Sequence, residues 1–100
     1  MEGHAVIAGD VLARYAADAA LDAPGVARLV ESRVPSRQHK GVRIHVDEAR
    51  AVTVEVHVAV EWGGSIPEIG RDVQRRVAEY LERMADVRPG TVTVVVDEIA

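Results

Sequence analysis

At 100 residues the chain has the length of one domain, and with 48% hydrophobic residues it can build one core. A formal net charge of −4 argues against a dedicated nucleic-acid binder, and the absence of cysteine excludes disulfides and thiolate zinc sites. Phe is absent and Trp occurs once, so the core is aliphatic, and its abundant Val favours a sheet.

The start, MEGHAVIAGD, lacks the basic opening and apolar stretch of a secretion signal, and no apolar run reaches the ~20 residues needed to span a membrane. His4–Ile7 has the pattern of a short edge strand. Asp10 is placed to cap a first helix running to Leu21, with Val11, Leu12, Tyr15, Ala16 and Ala19 on its buried face. Pro24 and Gly25 end that helix, and Val26–Glu31 reads as a strand. A polar loop, RVPSRQHKG, leads to the alternating strand Val42–Asp47, and Asp47–Arg50 turns the chain back into a long strand, Ala51–Trp62.

In that long strand Val52, Val54, Val56, Val58, Val60 and Trp62 fall on every second position, which assigns all six to the core face. Gly63 and Gly64 break it, and Ser65 and Glu68 stand at capping-box spacing. Ile66, Ile69, Val73, Val77, Tyr80, Leu81 and Met84 then form the apolar stripe of a second helix. After the Arg88-Pro89-Gly90 turn, a last strand directs Val92, Val94 and Val96 inward and Thr91, Thr93 and Asp97 outward. The order is (β)αβββαβ over residues 1–100 as one domain. It predicts an α+β fold: a two-layer sandwich with a mostly antiparallel sheet, both helices on one face and the other face open to water.

These landmarks resemble the alkaline shock protein 23 family of bacterial envelope stress proteins. The resemblance rests on Asp10-Val11 before an Ala-rich helix, Pro24-Gly25-Val26, Lys40-Gly41-Val42, the run Trp62-Gly63-Gly64-Ser65-Ile66-Pro67, the helix segment Val73-Gln74-Arg75-Arg76-Val77, and the closing Val92–Val96 strand. It implies a small non-catalytic cytoplasmic protein without a cofactor. It also implies partners that are other proteins, with self-association or recruitment by a membrane-anchored partner in some relatives. Trp62 stands where a smaller aromatic is expected, and the charged terminal extensions of some relatives are missing from this sequence.

Three clusters invite a chemical reading. His45 and His57, with Glu55 and Glu61, occupy the polar face of paired strands and supply donor types that zinc accepts, although exposed sheet faces commonly mix such residues without any ligand. The loop with Arg33, Arg37, His39 and Lys40 contains no acid. It suits an anionic partner or serves as a solvated loop, since three fixed charges at roughly 1 kcal/mol each hold a membrane weakly. Gly63-Gly64-Ser65 precedes a helix but has no Walker lysine, so it reads as a capped turn. Ser32, Ser36 and Ser65 lie in no nucleophile motif, which argues against an enzyme.

The resulting expectation is an envelope-stress scaffold acting through protein contacts. Its contact surface is Arg33, Arg37, His39, Lys40, Arg43, His45, Glu55 and His57, with no nucleic acid bound. The alternative is a small nucleic-acid-binding module, opposed by the acidic balance and the three aromatics.

Overall fold

Alternating valines fix the centre of the fold. In the computed structural model, which describes residues 7–31 and 39–100, the elements are α1 (Gly9–Leu21), β1 (Val26–Leu29), β2 (Val42–Val46), β3 (Val52–Val60), α2 (Ile66–Ala85) and β4 (Thr91–Ile99). The expected strand at His4–Ile7 lies outside the described residues except for Ile7, which belongs to no strand. The expected α+β class and the two-layer arrangement, with both helices on one sheet face, describe the molecule.

β3 is the axis of the sheet. β4 runs parallel along one edge, paired from Thr53↔Thr91 to Val60↔Ile99. That leaves the other edge to two antiparallel strands set end to end, β2 along Val52–Val56 and β1 along Val58–Val60. The sheet is therefore mixed, with two antiparallel pairings and one parallel. Parallel neighbours need a crossover, and α2 supplies it. Its 20 residues span about 30 Å, matching the ~30 Å length of the nine-residue β3.

On the helix side, Val54, Val56, Val58 and Val60 are fully buried, along with Val73, Val77 and Leu81 of α2. α1 contributes Leu12, Ala13, Ala16, Ala17, Ala19 and Ala20, small side chains that let it lie close to both the sheet and α2. Tyr15 and Tyr80 meet edge to face between the helices, with centroids 5.7 Å apart. Two local expectations for α1 are corrected. Its N-cap position is Ala8, with Asp10 inside the first turn, and Val11 is 39% exposed because the helix turns the Leu12–Ala13 side to the core. In α2 the Ser65 hydroxyl accepts from the Glu68 backbone N–H at 3.4 Å, as the spacing predicts. The stripe narrows at its ends, however, where Ile66 and Met84 are exposed.

The β2–β3 hairpin is closed by Asp47. Its carboxylate accepts from the Ala51 N–H at 2.8 Å, and Arg50 takes the left-handed conformation (φ 65°) that the turn requires. Val46, at the hairpin end, is half-exposed rather than inward. Two glycines seat β1 and β2 against β3. Gly25 (φ 90°) accepts from the Glu61 N–H, and a Cβ there would lie 2.7 Å from the Ile69 side chain. Gly41 (φ 77°) accepts from the His57 N–H, and a Cβ there would lie 3.0 Å from the Val30 carbonyl.

Candidate functional site

With the valines turned to the helices, period-two geometry sends Thr53, Glu55, His57 and Ala59 of β3 to the opposite face. Register brings the neighbours into line: Arg43 stands opposite Glu55 and His45 opposite Thr53 on β2, and Arg28 opposite Ala59 on β1. On β4, Thr91, Thr93 and Val95 stand beside Thr53, Glu55 and His57. No helix covers this surface among the described residues.

His57 is its best-held residue. Its backbone is tied on both sides, with the N–H donating to the Gly41 carbonyl at 2.8 Å and the carbonyl accepting from the Val30 N–H at 2.9 Å. Its ring, with the side chain only 14% exposed, lies between two carboxylates. Nδ1 is 2.7 Å from Asp97 Oδ2 and Nε2 is 3.0 Å from Glu55 Oε2. Burial pushes the imidazole pKa down, but the hydrogen bonds and charges of Glu55 and Asp97 outweigh it and hold the value above the usual 6.5. Beside it, Arg28 and Glu98 flank Ala59 from β1 and β4 and form an ion pair with each other. The small Ala59 side chain fits beneath that bridge, which accounts for its complete burial on an otherwise open face.

The structure thus gathers Arg43, His45, Glu55 and His57 on one face, as the sequence predicts. It does not bring the two histidines together. His45 is level with Thr53, four residues along the strand from His57, or about 13 Å. Among the described residues no group of three or more His, Cys, Asp or Glu is arranged to hold a metal ion. His39 and Lys40 lie at the entrance to β2, where His39 Nδ1 donates to the Lys40 carbonyl at 3.0 Å. Arg33 and Arg37 fall outside the described residues. Sequence reasoning missed Asp97 and Glu98 as site residues. The available signal was that Asp97 interrupts the valine run of the last strand, but its partner lies 40 positions away.

Two concavities lie elsewhere. A groove of about 420 Å³ between the helices is lined by Asp18, Asp22, Arg75, Arg76, Glu79 and Arg83. Arg76 there bonds both Asp72 (2.9 Å) and Asp22 (3.4 Å), tying α2 to the end of α1. Burial raises the Asp72 pKa, but hydrogen bonds from Arg76 and Arg75 outweigh that and lower it. A second hollow, about 220 Å³, is lined by Val60, Glu61, Trp62, Ile66 and Ile99. Trp62 is 82% exposed, which corrects its expected place in the core: the strand stops at Val60, and Trp62 lies with Gly63 (φ 94°) in the turn that follows, off the pleated face the valines share.

Searches among curated proteins and among solved structures found no match. A family model does match, over residues 1–100, and its description gives a cell envelope-related function. It agrees with the landmarks that the structure explains, since Gly25 and Gly41 are the close-approach points of β1 and β2 and Ser65 caps α2. The chain belongs to the alkaline shock protein 23 family, a family with a function related to the cell envelope.

Proposed function

We propose that this chain is a non-catalytic interaction module of the bacterial envelope stress response, working at the cytoplasmic side of the membrane and docking other proteins on its open sheet face and along β4. One observation carries this reading: β4 is nine residues long, and among the described residues nothing pairs with its outer edge. Such an edge can take an extended segment by β-addition, with backbone hydrogen bonds giving affinity and the adjoining face giving specificity. Its carbonyl at Val92 accepts from Gln74 Nε2 at 3.0 Å, so α2 screens one position near its start.

Further support comes from the charges. Arg28, Arg75, Arg76 and Arg88 each face a carboxylate, so these cations are neutralised within the chain rather than laid out as a phosphate-binding stripe. That favours a protein partner over a nucleic acid. Both nitrogens of His57 are engaged, which leaves no ring nitrogen open to act as a base. Among the described residues no helix is long and apolar enough to cross a membrane; in this proposal recruitment to the envelope is assigned to a partner.

Native purification followed by site-specific photo-crosslinking tests the reading. Crosslinkers at Thr53 or Thr93 are expected to capture a protein, whereas one at Arg71 on the outer side of α2 is not. Capture confined to Arg71 would overturn the assignment of the surface.

A further inference from the structure

We propose that Glu55, His57 and Asp97 form a protonation-dependent clamp that fastens the C-terminal end of β4 to β3 across the open sheet face. The argument starts from donors and acceptors. Ionised carboxylates only accept hydrogen bonds, and a neutral imidazole carries one N–H. Here both ring nitrogens face a carboxylate oxygen, at 2.7 and 3.0 Å, so only the doubly protonated imidazolium satisfies both contacts. The two carboxylates also explain why the ring holds its proton above the ordinary histidine range despite burial.

The position of Asp97 makes this contact matter. The β3–β4 register runs from Val58↔Val96 directly to Ala59↔Glu98, so Asp97 is the extra residue of a bulge and has no partner in the ladder. Its side chain, bound to His57, ties down a point the backbone leaves unpaired. Beyond it the strand is held by Ala59↔Glu98, Val60↔Ile99 and the Ala100 N–H to the Val60 carbonyl at 2.7 Å.

The charged and titratable groups on the surrounding elements are few. Glu55 is followed across the sheet by Arg43, His39 and Lys40 lead into β2 beside Gly41, and Glu31 follows β1. Arg28 and Glu98 form an ion pair with each other beside the clamp. His57 is the group of the clamp whose proton both contacts require. When its ring loses a proton, Asp97 faces either a bare lone pair or an uncharged N–H, and the charge assistance of its bond is gone either way. The end of β4 then loosens while the Val92–Val94 segment stays paired. If β4 is the docking edge, the clamp also sets how ordered that edge is. This consequence rests on the function proposed above; the clamp itself does not.

The test uses the full chain alone, so its outcome is separable from any failure to find a partner. Nitrogen-detected NMR of the histidine rings should show both His57 nitrogens protonated at pH 6. As His57 titrates, amide protection over Val96–Ala100, corrected for base-catalysed exchange, should fall about tenfold or more relative to Val92–Val94, the scale of losing one charge-assisted hydrogen bond. His57→Gln and Asp97→Asn should abolish that pH dependence, and His45→Gln should leave it intact. A single neutral tautomer of His57 at pH 6, or exchange over Val96–Ala100 that tracks Val92–Val94 throughout, would overturn the clamp. If His57→Gln does not fold, the titration of the unmodified chain still decides.

Discussion

Leu81 is the largest side chain with no exposure among the described residues, and Met84, one turn later on the same helix, is nearly half exposed. Replacing Leu81 by Ala removes buried methyl groups and leaves a cavity that close packing closes only in part, at a cost of about 3 kcal/mol. A domain of this length has a total stability of roughly 5–15 kcal/mol, so the variant should still fold. Its melting temperature should drop by about 12–24 °C, at roughly 4–8 °C per kcal/mol. Met84→Ala should cost under about 1 kcal/mol, since half of its surface is already in water and alanine favours a helix. Urea unfolding followed by far-UV circular dichroism measures both variants. Trp62 fluorescence is a poor probe, because the indole is 82% exposed in the folded state. The urea slope should stay constant, showing that both substitutions act on the native state. Equal losses for the two variants would refute the seating of α2 by its Ile69–Val73–Val77–Leu81 face. So would a parent-like melt for Leu81→Asp, which buries an unpaired charge and should not fold.

Other expectations follow from single features. Gly25→Ala should cost about 1–3 kcal/mol more than Gly63→Ala in urea midpoints: both need positive φ, but only at Gly25 does a Cβ meet the Ile69 side chain. Because the folded pKa of His57 is raised above 6.5, its stabilisation is fully present below that value and lost as pH rises through the folded pKa. The urea midpoint should therefore fall across this range and stay flat in His57→Gln; a midpoint that rises instead would contradict the sign. Zinc should leave the melting temperature unchanged, because both ring nitrogens of His57 are already bonded to carboxylates; a rise that disappears in His57→Ala would show that the metal displaces them. Trp62 emission should be that of a solvated indole and readily quenched by acrylamide; a blue-shifted, protected signal would show the ring covered.

Local pattern was enough to separate the inside from the outside of most elements. The valine alternation of β3, the Ser65 cap, the Asp47–Arg50 turn and the stripe from Ile69 to Leu81 can all be read along the chain, because burial of a repeating face leaves a periodic trace. The same alternation placed Arg43, His45, Glu55 and His57 on one surface. Where an element ended, the pattern misled, because periodicity carries no mark of where packing stops. Trp62 continues a spacing whose burial has ceased, whereas Val11 is exposed because α1 turns its Leu12–Ala13 side to the core. Which residues stand side by side emerged from the assembled fold alone. The parallel placement of β4, the sharing of one β3 edge by β1 and β2, and the bulge that delivers Asp97 to His57 join residues up to 70 positions apart. A side chain's spacing fixes the face it occupies. Its neighbour across the sheet is fixed by chain topology, which follows from closing the whole core at once.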